Sequence, residues 1–146
     1  MEWDRSANDF WVRIAAAVLA LVGIGITSYL LYERWSGATP ACFRGGGCAT
    51  VQKSEWSAIH GVPVALLGLL AYVALLACAL MPWQTAALAS LFISLLGVLL
   101  SAYLTYLELD QIHAICEYCV SSAIIVTIML VLSIVRTTML GRAAAT

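Results

Sequence analysis

The chain has 146 residues, of which 63% are hydrophobic and 10% charged, with a formal net charge of -1 and a mean hydropathy of +0.97. A water-soluble domain carries about a quarter charged residues, so this composition predicts a membrane protein. The near-neutral balance and the lack of a basic run give no support for nucleic-acid binding or for a polybasic lipid site.

In chain order, the segment from Met1 to Arg13 holds three acids and two arginines and leads into an apolar tract too long for a signal-peptide core, so it is expected to remain uncleaved. Three uncharged tracts follow: Ile14 to Tyr32, Gly61 to Leu107, and Tyr118 to Val135. A helix needs about 20 apolar residues to cross the hydrocarbon, so the outer tracts are single spans and the middle one holds two. The break falls at Pro82, Trp83 and Gln84, because proline cannot continue a helix and an indole favours the interface. The predicted spans cover about 10–32, 62–81, 86–107 and 118–136, with a loop over 33–61. The expected fold is all-α: a single domain over 1–146 forming a four-transmembrane-helix bundle, with a long extracytoplasmic loop between helices 1 and 2.

Span one is bracketed by Trp3, Phe10 and Trp11 at one end and Tyr29, Tyr32 and Trp35 at the other, as interfacial aromatic belts are. The loop after it carries Pro40, Cys42, Cys48 and, between the cysteines, Gly45, Gly46 and Gly47, a run that permits backbone conformations closed to other residues and makes a mobile tether. Ser54 and Glu55 match the cap and first turn of a short surface helix, with Trp56 in the interface. Gly61, Val62 and Pro63 open span two. Small residues then recur (Gly68, Ala71, Ala74, Ala77, Ser90, Ser94, Gly97 and Ser101), which lets helices approach closely in lipid and predicts a tight hairpin of spans two and three.

An even number of spans puts both termini on one side and the 33–61 loop on the other, together with the segment from Leu107 to Glu117. All four loop and pre-span cysteines then share a compartment. Arg5, Arg13, Arg136 and Arg142 on the terminal side outnumber Arg34, Arg44 and Lys53, which favours cytoplasmic termini. Paired cysteines persist as disulfides in the periplasm or its equivalent, which also puts them outside.

Cys116 and Cys119, in Cys-Glu-Tyr-Cys, are three apart and so share one helix face at about the separation a disulfide requires. They open span four, where the helix dipole favours a thiolate. A reactive pair is expected; the alternatives are a structural disulfide or half of a metal site. Cys42 and Cys48 enclose a short loop with Arg44 beside them. A pure staple would gain little from the three glycines, whereas a shuttle between an external partner and Cys116 needs that slack. Cys78, inside span two, is expected to pack as a small apolar residue. His60 and His113 could complete a zinc site with the cysteines, but two compact ligand pairs of matching spacing are lacking, so no metal is expected. Glu108 and Asp110 are expected at a solvated helix end, with one of them a candidate to influence proton release.

These residues resemble the vitamin K epoxide reductase family, specifically its bacterial disulfide-forming members. The resemblance rests on Cys42 and Cys48, then Val51, Ser54 and Trp56, the run Gly61, Val62, Pro63 and Val64, Gly68 and Tyr72, and the motif Cys116, Glu117, Tyr118, Cys119, and so covers almost the whole chain. Motif order separates it from the DsbB family, whose Cys-x-x-Cys lies in the first external loop. The resemblance implies a helix bundle around a quinone of ubiquinone, menaquinone or vitamin K type, with Cys119 facing the ring, Cys116 exchanging with the loop pair, and Ser54 matching a serine associated with activity. It also implies a thioredoxin-fold (DsbA-like) partner and residence in a bacterial inner membrane. Many relatives carry a fused thioredoxin-like domain after span four; none is expected here, so the partner acts in trans unless such a tail has been lost. The expected function is a membrane thiol:quinone oxidoreductase that supports disulfide formation. A disulfide-stapled membrane scaffold and a zinc-binding membrane protein are the alternatives.

Overall fold

The computed structural model describes residues 2–37, 58–59, 61–112 and 117–145. Helix α1 spans Glu2–Ser36, beyond the predicted span at both ends, because no proline or paired glycine interrupts it. It stops where Gly37 takes a φ of 74°, the left-handed conformation with which glycine commonly ends a helix. The next described elements are two short strands, β1 (Ala58–Ile59) and β2 (Val62–Pro63), paired antiparallel with Ala58 opposite Pro63 and Ile59 opposite Val62. Gly61 turns this hairpin with a φ of 83°, a conformation strained for any residue with a Cβ.

Helix α2 spans Val64–Leu80, directly after Pro63, whose missing N–H costs nothing at a helix start. It ends at Met81, held extended by the proline that follows. Helix α3 spans Gln84–Leu107, continues into a π-helical turn over Glu108–Ile112, and helix α4 spans Glu117–Ala145. The protein is therefore an all-α, four-helix bundle in which α1, α3 and α4 are long and apolar enough to cross a membrane and α2 is a shorter apolar helix. At 1.5 Å per residue α2 is about 25 Å long, against about 30 Å for the hydrocarbon core.

The largest packing interfaces join α1 to α2 and α3 to α4; α2 and α3, although consecutive, share a smaller one. The expected tight hairpin of spans two and three is thus not the dominant pairing. Their small residues serve other neighbours: Gly68 backs onto the Thr27 methyl of α1, and a Cβ at Gly97 would lie 2.7 Å from Val126 Cγ2 of α4. The core is built from Ala20, Tyr72, Leu75, Ile125 and Met129, whereas Leu70, Phe92, Leu99, Ile124 and Val131 face outward, as lipid-facing side chains do.

One end of the bundle is closed by arginines. The last carbonyls of any helix lack intrahelical donors, and at the end of α2 two arginines from neighbouring helices supply them. Arg13 of α1 donates Nε to the Ala79 carbonyl (2.9 Å) and Nη2 to that of Leu80 (2.6 Å). Arg136 of α4 donates Nη1 to the Cys78 carbonyl (3.0 Å), Nη2 to that of Met81, and Nε to Asp9 Oδ1 (3.2 Å), forming an ion pair. The starts of α1 and α3 and the ends of α2 and α4 therefore meet at this end, and the opposite end carries the start of α4 and the β-hairpin.

Candidate active site

At that opposite end the four helices part around a cavity of about 280 Å³. Helix α1 contributes Thr27 and Leu30, α2 contributes Gly68, Ala71 and Tyr72, α3 contributes Gly97, Ser101 and Thr105 and leads to Glu108, and α4 contributes Tyr118, Cys119 and Ser122. The remaining lining is aliphatic, including Leu75, Ile93, Leu96, Leu100, Leu104 and Val126. Among the described residues, the result is an oily chamber with hydroxyls, one carboxyl and one thiol on its wall.

Several contacts hold this wall in place. The Tyr72 hydroxyl donates to the Ser122 carbonyl at 3.0 Å and lies 2.7 Å from Ser122 Oγ, tying α2 to α4 beneath the cavity. The Tyr72 ring packs against Gly23 of α1, where a Cβ would overlap the ring itself. Thr27 turns its hydroxyl back to the Gly23 carbonyl (2.8 Å), so its methyl rather than its oxygen meets α2. Tyr118 packs on Tyr29 of α1, ring centroids 5.4 Å apart, which anchors the first turn of α4. Cys119 follows directly, half-buried on the cavity wall.

Of the site residues expected from sequence, Cys119 is described, while Cys42, Cys48, Ser54 and Cys116 lie outside the described residues, as do His60 and His113. The zinc alternative therefore rests on residues outside them as well. Cys78 is a half-buried free thiol near the arginine-closed end and is not part of the cavity. Glu108 departs from expectation. Rather than a solvated helix end, it is a buried side chain, 3% exposed, on the cavity wall, while Asp110 in the same turn is exposed. The physical reason is the π-helical turn: α3 does not stop at Leu107 but widens and continues, which keeps Glu108 on the inner face. Three further residues escape sequence reasoning. Gly23, which admits the Tyr72 ring of the cavity wall, looks like any glycine in an apolar tract, and Arg13 and Arg136 at the other end of the bundle look like flanking charges of the kind that sets orientation.

The vitamin K epoxide reductase family model matches residues 14–134, which takes in α2 and α3 whole, most of α1 and α4, and the cavity. The chain belongs to the vitamin K epoxide reductase family. Membership makes it a membrane oxidoreductase with a general thiol-oxidoreductase role, a quinone-type cofactor and association with a thioredoxin-fold protein. The cavity fits such a cofactor: a quinone ring is apolar on both faces and carries two carbonyl acceptors, and this chamber combines aliphatic walls with hydroxyl and carboxyl groups. Tyr72, Ser101, Thr105 and Ser122 are the side chains that would hold it, with Cys119 and Glu108 alongside.

Proposed function

We propose that the chain is a thiol:quinone oxidoreductase of a bacterial inner membrane that reoxidises a thioredoxin-fold, DsbA-like protein acting in trans and so supports disulfide bond formation. The observation that carries this reading is Cys119 on the wall of an oily cavity bounded by all four helices. In this reading α2, extended by Val62 and Pro63 at its start and closed by arginines at its end, crosses the membrane with the others. The termini are cytoplasmic, and Cys42, Cys48, Cys116 and Cys119 serve the periplasmic or extracellular face.

The chain's own chemistry is thiol–disulfide exchange, in which a thiolate attacks one sulfur of a disulfide and releases the other. The reduced partner attacks Cys42 of the Cys42–Cys48 disulfide and frees the Cys48 thiolate. Cys48 attacks Cys116 of the Cys116–Cys119 disulfide, and Cys119 leaves as the thiolate on the cavity side, at the first turn of α4 where the helix dipole stabilises negative charge. The partner's second thiol then releases Cys42, and Cys42 attacks Cys48, which restores the Cys42–Cys48 disulfide and leaves Cys116 and Cys119 reduced. A bound quinone supplies the two-electron acceptor. Ser54 is the further residue assigned to the catalytic loop.

The deciding experiment is anaerobic quinone reduction by the detergent-purified chain, supplied with a reduced thioredoxin-fold partner and followed by quinone absorbance. Cys119→Ser is expected to abolish quinone reduction and spare exchange with the partner. Cys42→Ser is expected to block the partner while leaving dithiothreitol partly effective. Equal loss in both assays for both variants would count against a relay.

A further inference from the structure

An ionisable side chain inside a span is costly, and where one persists it commonly marks a proton or ion path. Glu108 is such a residue: 3% exposed and on the cavity wall. Among the described residues lining the cavity it is the one with an acidic or basic side chain; the other titratable groups there are Tyr72 from α2 and Tyr118 and Cys119 from α4. Its backbone opens the π-helical turn over Glu108–Ile112, and such turns often occur at functional positions. Ser101, Thr105 and Glu108 stand at i, i+4 and i+7 along α3, so they form one polar stripe on the face turned to the cavity, with the carboxyl at the end where α4 begins.

We propose that Glu108 is the group that delivers protons into the cavity during quinone reduction, an inference that rests on the thiol-to-quinone reading above. Oxidation of the Cys116 and Cys119 thiols to a disulfide releases two electrons and two protons, and conversion of a quinone to a hydroquinone takes up two of each. The electrons pass from sulfur directly. The protons leave the thiols at the bundle end, and Glu108 accepts a proton from that side and gives one to a quinone oxygen, twice per turnover. The carboxyl is unchanged at the end, and no further oxidant or reductant is needed. Ser101 and Thr105 extend the same face with hydroxyls that accept and donate in turn.

The test uses the full-length, detergent-purified chain, a short-chain ubiquinone as probe, and the variants Glu108→Gln and Glu108→Asp. Quinone affinity, read from tryptophan fluorescence, is expected to change by less than about threefold in Glu108→Gln. The single-turnover rate of the dithiol-reduced protein is expected to fall about 100-fold, the scale of a lost general acid, and to keep only the pH dependence of thiol ionisation, while Glu108→Asp restores part of the rate. Independently of turnover, adding quinone to the oxidised wild-type chain is expected to shift a carboxyl band in the infrared difference spectrum. That shift should be absent in Glu108→Gln and moved in frequency in Glu108→Asp. A glutamine variant with the wild-type rate and pH profile would overturn the proposal, as would a wild-type spectrum with no carboxyl change on quinone binding. Failure of the underlying relay shows elsewhere, as full turnover in Cys119→Ser, and the infrared measurement still decides the role of Glu108 in that case.

Discussion

Arg136 keeps a guanidinium in a position only 4% exposed, and it does so by spending its donors on Asp9 and on the carbonyls of Cys78 and Met81. Removing one partner of a buried pair leaves the other charged and uncompensated, which typically costs about 3–5 kcal/mol. Arg136→Leu is therefore expected to lower the apparent Tm in detergent by several degrees, and by more than Arg13→Leu, whose partners are carbonyls alone. A thermal unfolding series on both variants checks the ranking, and equal shifts would argue against the ion pair as the dominant contribution. Little of this was legible in the sequence, where both arginines look like flanking charges. The available signal was the spacing of Pro63 and Pro82, which makes α2 the shortest of the four helices and puts its last carbonyls within reach of arginines on α1 and α4. Glu108 was hidden for a related reason: a charge beside an apolar tract looks wet unless the backbone is known to continue past it.

Among the elements, α3 and α4 meet over a stripe of small side chains. Ser90 and Ser133 hydroxyls lie 2.8 Å apart, and Ser133 also donates to the Met129 carbonyl at 2.8 Å. Ser94, fully buried between them and Gly97 along α3, has no hydrogen-bond partner among the described residues. An unmatched buried hydroxyl costs about 1–3 kcal/mol, so Ser94→Ala is expected to leave the Tm unchanged or raise it, whereas Ser90→Ala lowers it. Gly97→Ala is expected to lower it further, because its Cβ would press 2.7 Å from Val126 Cγ2. Val126→Ala introduced alongside should recover part of the loss, and a double variant no better than the sum of the two would show that the contact is not limiting. The recurrence of small residues was visible in the sequence as a stripe. Which helix it faces was not, because periodicity identifies a face without naming its partner, and the nearest helix in the chain is not the nearest in space here.

At the scale of the molecule, the number of helices follows from apolar tract lengths and one proline, which is why the bundle was legible before any coordinates. Contacts between Arg13 and the end of α2, and between Asp9 and Arg136, gather both termini at one end. Exposed residues at the two ends should therefore label from opposite sides of a sealed vesicle. Ala7→Cys and Arg142→Cys are expected to react together with a membrane-impermeant maleimide, and Trp35→Cys only from the other face, each read against the background of the unsubstituted chain. Labelling of Ala7→Cys and Arg142→Cys from different sides would break the even-span topology. The cavity itself was anticipated by resemblance rather than by periodicity. Its wall is made of ordinary leucines and serines from four separate segments, and no local pattern announces that they converge.

The arginine closure also bears on how the protein is made. Asp9 is synthesised near the beginning of the chain and Arg136 near its end, with the Cys78 and Met81 carbonyls to which Arg136 donates in between. During synthesis the first three helices must wait in the bilayer with half of that cluster missing: Arg13 can reach Ala79 and Leu80, but Cys78, Met81 and Asp9 gain their shared donor only when the last helix arrives. Insertion of the final helix thus acts as a latch on a nascent bundle, and a chain interrupted before residue 136 would present the quality-control machinery with an acid and two carbonyls that lack the donor they share in the finished protein.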